Sequence, residues 1–251
     1  MRWAGHTAPV LQIIAHRGAS GSAPENTLAA VELALEHGAD RVEVDLRRTA
    51  DGALVLLHDP TPRRTTDVGP ERAGDPVDSF SLAALRRLDA GSWFDVRFAG
   101  QRVPVLGELL ELVRGRAGVH LELKDPARHP GVERQVVAAL GRDDDVLVQS
   151  FDHASMRRLH ALAPDVPVAL LVEERPDADL LRAAAGFAAE VNPALAAVDA
   201  DVVTTLREHG LRTSVWTVDA ADDLRRVAAL GVDGIITDEP ALARALLVGA
   251  H

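Results

Sequence analysis

Along the chain, short apolar and β-branched runs alternate with Ala- and Leu-rich stretches whose apolar positions recur at helical spacing. Eight runs have strand length: LQIIA (11–15), RVEVDL (41–46), VHLEL (119–123), VLVQS (146–150), VALLV (168–172), AAEVN (188–192), RTSVW (212–216) and DGIIT (233–237). Between them, sets such as Leu28, Val31 and Leu35, or Leu224, Val227 and Leu230, mark one face of a helix. Gly38, Gly210 and Gly231 follow three of these segments, where a left-handed residue ends a helix. The alternation predicts an α/β fold with a parallel sheet. Eight units fit a closed (β/α)8 TIM-type barrel, and they fit an open doubly wound sheet equally well on periodicity alone.

One interval breaks the rhythm. About 70 residues separate the second run from the third, against about 20 to 30 elsewhere. The interval opens on the turn signal Asp51-Gly52 and continues into a further apolar run, LVLLHD (54–59), the pattern of a hairpin. Then come PTPRRTTDVGPERAGDPV and a helical pattern around Leu82, Leu85 and Leu88. With no linker or repeat elsewhere, the expectation is one domain over residues 1–251, carrying a small insertion at about residues 47–103.

Polar residues interrupt two of the strands in a regular way. In RVEVDL, Glu43 and Asp45 alternate with Val42, Val44 and Leu46, so the two acids share a face. A barrel strand is covered on both sides, and a carboxylate pair there needs a cation or donors to offset desolvation and repulsion. HLELKD (120–125) repeats the pattern, with Glu122 and Lys124 on one face. If these strands are neighbours, Glu43, Asp45 and Glu122 form an all-oxygen site that favours Mg2+ or Ca2+, with Mn2+ also compatible. The competing account is a salt bridge from the carboxylates to Lys124 without metal.

His16 and Arg17 close the first strand, at the end where α/β folds carry function, and the Arg17 guanidinium suits a phosphate. His58 closes the LVLLHD run. Two histidines near three carboxylates and an Arg supply an acid and a base near neutral pH. Phe151 and Trp216 also follow strands, as core filler or as the apolar wall of a small-molecule site. Ser22 or Asn26 reads as a helix cap, and His6, His37, His129, His153, His160, His209 and His251 as surface residues.

Composition narrows the partners. A formal net charge of -11 argues against nucleic acid, whose affinity comes from Lys and Arg on phosphates. Cysteine is absent, which removes thiolate metal sites. No signal-peptide pattern and no run of ~20 apolar residues is present, so the expectation is a cytoplasmic protein without stable membrane association; nothing sets its oligomeric state. Of 27 basic side chains, 26 are Arg and only Lys124 is Lys.

The ordered set AHRGASGSAPENT, VEVDLRRTADG, LVLLHD, RTTD, LDAGSWFD, VPVLGELLEL, LELK, QSF, VWTVD and GIITDEP resembles the glycerophosphodiester phosphodiesterases over residues 12 to 240. The resemblance implies a TIM-type barrel with a small inserted subdomain and a divalent metal at the C-terminal rim. It further implies Glu43, Asp45 and Glu122 as metal ligands, His16 and His58 as the acid/base pair, and Arg17 and Lys124 as phosphoryl-binding groups. Phe151 and Trp216 would line the glycerol or alcohol side. The implied reaction is hydrolysis of glycerophosphodiesters to sn-glycerol 3-phosphate and an alcohol. Alternatives are a phospholipase of the phosphatidylinositol-specific or sphingomyelinase D type, a sugar isomerase or epimerase barrel, and a non-catalytic phosphodiester-binding barrel. One departure is Asp219, where the family often has Asn.

Overall fold

A computed structural model describes residues 11–248. Among the described residues nine strands form one sheet: β1 (Gln12–His16), β2 (Arg41–Arg48), β3 (Leu54–Leu56), β4 (Gly118–Leu123), β5 (Val146–Ser150), β6 (Val168–Val172), β7 (Glu190–Pro193), β8 (Ser214–Val215) and β9 (Gly234–Thr237). Eight are parallel, in the order β7-β6-β5-β4-β2-β1-β9-β8, and β3 pairs antiparallel with β2. The ends of this order meet through parallel bridges Glu190↔Arg212 and Ala194↔Trp216. An open doubly wound sheet leaves its edges apart; here they join, and the sheet is a nearly closed barrel. Closure through single bridges also explains why β8 is two residues long where RTSVW predicts five.

The alternation along β2 sorts its side chains between two environments. Val42, Val44 and Leu46 join the main apolar cluster with Leu109 and Val113, which lie on the helix Leu106–Val113. Glu43 and Asp45 take the barrel side, and both are nearly fully buried. β4 behaves the same way, with Val119, Leu121 and Leu123 in the apolar cluster. At the opposite end of the barrel the interior is also polar: Arg41 reaches Asp145 at 2.8 Å, and Glu190 pairs with Arg212 at 2.8 Å. His120, which the strand pattern left unassigned, is buried in β4, and burial holds its pKa well below the ordinary value.

Helix ends follow the signals in the sequence. Helix α1 (Leu28–Glu36) starts at Thr27, whose side chain accepts from the Ala30 amide, and Gly38 follows its end at φ 74°. Gly210 and Gly231 are left-handed as well. The cap is thus Thr27, and neither Ser22 nor Asn26 fills that role. Helix α2 (Leu82–Leu85) covers one turn of the pattern expected through Leu88.

The excursion between β2 and β4 has its own apolar centre, in which Val55, Leu57, Val77, Phe80, Leu85, Ala90 and Val103 pack apart from the barrel core. Its first strand is clamped on both sides, by β2 and by a bridge from Val55 to Val105. His37, His129, His153, His160 and His209, expected at the surface, are half-buried; His153 Nε2 lies 2.9 Å from the Leu171 carbonyl. His6 and His251 lie outside the described residues. No helix among the described residues is long and apolar enough to cross a membrane.

Leu121 is fully buried between sheet and helices. Its replacement by Ala should cost about 2–5 kcal/mol, read as a lowered midpoint in urea unfolding.

Candidate active site

Strand register assembles the site. β1 sets His16 beside Glu43, and β4 sets Glu122 beside Asp45. One ligand oxygen from each of Glu43, Asp45 and Glu122 lies within 4.8 Å of the others, all three residues buried. Such a cluster cannot ionise fully without compensation. Burial and the neighbouring Asp45 raise the Glu43 carboxyl to about 7, and the same two causes raise Glu122 to about 8. Asp45 goes the other way: burial alone would raise it, but Lys124 and Arg17 hold it well below the usual carboxylate range.

Asp45 is the most closely held of the three. Asn26 donates its Nδ2 to Asp45 Oδ2 at 2.7 Å and accepts the Asp45 amide at 3.0 Å. Asn26 does this from a left-handed backbone, φ 56°, which Asn tolerates better than most residues. Lys124 Nζ lies 2.6 Å from Glu122 Oε1 and 3.1 Å from Asp45 Oδ1. That Oδ1 receives no well-aligned hydrogen bond although it is buried, so it retains a lone pair for a cation. The salt bridge weighed against a metal is therefore present, and it engages Asp45 Oδ1 as an ion pair without a well-aligned hydrogen bond.

Arg17 sits at the rim in the left-handed region, φ 55°. Its amide donates to Glu43 Oε2 at 3.1 Å, its Nη1 to Glu25 at 2.8 Å, and its Nε lies 3.3 Å from Asp45. Gly18 follows at φ 82°, where a Cβ would come within 2.5 Å of the Ala30 backbone. The HRG turn therefore packs directly on α1, which fixes where Arg17 stands.

The two histidines are held by different carboxylates. His16 Nδ1 meets Asp238 at 2.6 Å, while its Nε2 is 3.9 Å from Glu43. Burial disfavours its charge, but Asp238 and Glu43 raise its pKa overall. Asp238 also accepts from Ser20 at 2.7 Å, and its amide donates to Asp219 at 2.8 Å. Asp219 thus serves the loop that carries Asp238. His58 Nδ1 meets Asp59 at 2.7 Å, and burial pushes its pKa down. The His58 carbonyl accepts from Arg47 of β2 at 2.9 Å and 2.6 Å.

These groups face one cleft of about 190 Å³, lined by His16, Arg17, Glu43, His58, Glu122 and Lys124 on its polar side. Phe151 and Trp216 wall the other side, edge to face at 5.6 Å between centroids. The Trp216 indole donates to the Asn192 carbonyl at 2.8 Å. Eight of the nine site residues expected from the sequence line this cleft, and the ninth, Asp45, is buried beside them against Lys124 and Arg17.

The family model for the glycerophosphoryl diester phosphodiesterase family matches residues 16–242. The chain belongs to that family. A glycerophosphodiester phosphodiesterase of Caldanaerobacter subterraneus is 36% identical over 234 residues, 91% of this chain and 94% of the relative. The crystal structure of a glycerophosphodiester phosphodiesterase from Agrobacterium tumefaciens is 35% identical, with a TM-score of 0.75 over 94% of this chain and 100% of that one. An Oleispira antarctica phosphodiesterase in complex with the product sn-glycerol-3-phosphate is 29% identical, with a TM-score of 0.84 over 94% and 96%.

Within this family member, the sequence left Glu25, Asp59 and Asp238 without a role and offered Asn26 only as a cap, yet all four hold site residues. Asp59 and Asp238 stand in the LVLLHD and GIITDEP stretches, so the signal for a His partner was a nearby acid. Nothing local marked Asn26, whose contact lies 19 residues away.

Both raised carboxyls start from 4.5. The unfolded chain therefore ionises first, and metal-free protein should lose stability as pH rises from about 4.5 towards 8. Saturating Mg2+ should reverse that loss in thermal melts. Binding near pH 7 should also release protons, seen as a buffer-dependent heat in calorimetry.

Proposed function

We propose that the chain hydrolyses glycerophosphodiesters to sn-glycerol 3-phosphate and an alcohol, using a single barrel domain whose insertion supplies His58. The observation that carries this reading is the cleft itself: two histidines, each backed by a carboxylate, flank an Arg and a Lys above a three-carboxylate cluster. An isomerase has no need of that Arg and Lys, and the family match favours a diester.

The donor set fits a hard divalent cation, since it offers three buried carboxylates with ligand oxygens within 4.8 Å of one another. Glu43, Asp45 and Glu122 would hold Mg2+ or Ca2+, which supplies Lewis-acid stabilisation of charge on the phosphoryl oxygens. Arg17 and Lys124 bind and orient the phosphoryl group. Of His16 and His58, one takes a proton from the attacking oxygen and the other gives one to the leaving alkoxide. The bond from phosphorus to the alcohol oxygen breaks as the new one forms. Phe151 and Trp216 receive the apolar edge of the glycerol or alcohol.

Protein stripped with chelator and resupplied with Mg2+, Ca2+ or Mn2+ should release glycerol 3-phosphate from glycerophosphocholine, and Glu43→Ala should not. Release that ignores both chelator and the variant would refute the metal role, and no release with any metal would refute the substrate. His16→Ala and His58→Ala should each lose about 10²- to 10⁴-fold in kcat while retaining metal affinity by calorimetry. Lys124→Arg should fold normally yet lose most turnover, because a planar fork does not fit where a compact ammonium bridges Glu122 and Asp45.

A further inference from the structure

The RTTD stretch, residues 64–67, has no part in the chemistry above, yet its first side chain lies between two groups that hold the cleft. Arg64 donates Nη1 and Nη2 to Glu25 at 2.5 and 2.8 Å, and Nε and Nη2 to Asp59 at 2.8 and 3.0 Å. Glu25 in turn accepts from Arg17 at 2.8 Å, and Asp59 meets His58 at 2.7 Å. One guanidinium therefore closes a continuous chain, Arg17–Glu25–Arg64–Asp59–His58.

We propose that Arg64 is a positioning residue that couples the phosphoryl-binding Arg17 to the acid/base group His58. The chemistry of the chain explains why a guanidinium stands there. Glu25 is only 11% exposed and Asp59 25%, and without the cation between them two carboxylates would face each other half out of water. A planar fork satisfies both at once in fixed geometry, whereas an ammonium concentrates its charge at one point. An isolated exposed ion pair would matter little, but both anions here already hold cleft groups.

The insertion is built to hold this arginine. Thr65 and Thr66 are buried, and Thr66 donates to the Pro62 carbonyl at 2.7 Å. Asp67 accepts the Asp89 amide at 2.7 Å and donates its own amide to the Asp89 carbonyl at 3.1 Å. Asp89 also accepts the amides of Gly91, Ser92 and Gly100, so the LDAGSWFD turn fixes the RTTD segment from behind. Two motifs without a catalytic role thus act together to keep Arg64 over the rim.

The turnover assay rests on the phosphodiesterase reading; a binding assay for sn-glycerol 3-phosphate accompanies it. In Mg2+-loaded full-length protein, Arg64→Met should lower kcat and raise KM together, by about 10²-fold in kcat/KM, with Mg2+ affinity unchanged. Product binding should weaken through Arg17. Arg64→Lys should fall between Arg64→Met and wild type, and guanidinium ion should restore part of the activity of Arg64→Ala. In a double-mutant cycle, the losses from Arg64→Met and Asp59→Asn should be less than additive, because both act on His58 through the same carboxylate. Wild-type kinetics in Arg64→Lys and Arg64→Met would overturn the coupling, as would losses that multiply independently with Asp59→Asn. If Arg64→Met does not fold, Arg64→Lys and guanidinium rescue decide the matter. Wild-type protein that neither binds the product nor turns over the diester would overturn both readings together.

Discussion

Three buried carboxylates within 4.8 Å of one another are the constraint around which this barrel is organised. Left alone, they would repel one another and recover little solvation, so every neighbour is arranged to answer their charge. Lys124 answers from just past β4, Arg17 from just past β1, and Asn26 by donating from the loop between β1 and α1. Even so, Glu43 and Glu122 are pushed up to about 7 and 8. The site is held in a geometry that the protein's own cations do not fully satisfy, which is the condition for taking up another.

Around that centre the histidines are handled unequally. His16 is enclosed and supported by Asp238, which Ser20 and Asp219 fix in turn. His58 is more open and arrives on the insertion, with Asp59 as its support. The barrel supplies one of the two histidines and the insertion the other, and they meet over carboxylates belonging to neither helix nor loop. A fold of this kind keeps the charged centre on rigid strands and leaves the more exposed partner to a segment with its own core.

Much of this was legible in the sequence because strands write their faces with a period of two. Val-Glu-Val-Asp-Leu and Leu-Glu-Leu-Lys each declare an apolar side and a charged side, and parallel pairing of β2 with β4 turns two local patterns into one cluster. Barrel closure was not legible, because it depends on bridges such as Ala194↔Trp216 between the two ends of the strand order. Asn26 was misread as a cap because caps are local and its real partner, Asp45, is not. His120 went unassigned for a related reason: nothing in VHLEL shows which histidine faces the floor of a barrel. Asp219, which departs from the expected Asn, turns out to hold the Asp238 loop through Thr237 and the Asp238 amide.

β2 does not stop at the barrel rim; its last residues continue as one arm of a hairpin with β3. His58 follows two residues after β3, its carbonyl held by Arg47 and the preceding amide by the Asp45 carbonyl. The histidine is therefore indexed to the strand that bears Glu43 and Asp45, independently of how the rest of the insertion runs. Changes of length far out in the insertion, around residues 68–75, leave that index untouched. A residue gained or lost in the short turn at 49–53 would shift the hairpin register and carry the histidine to the opposite face. The segment is thus free to diversify at its tip and bound by register at its root.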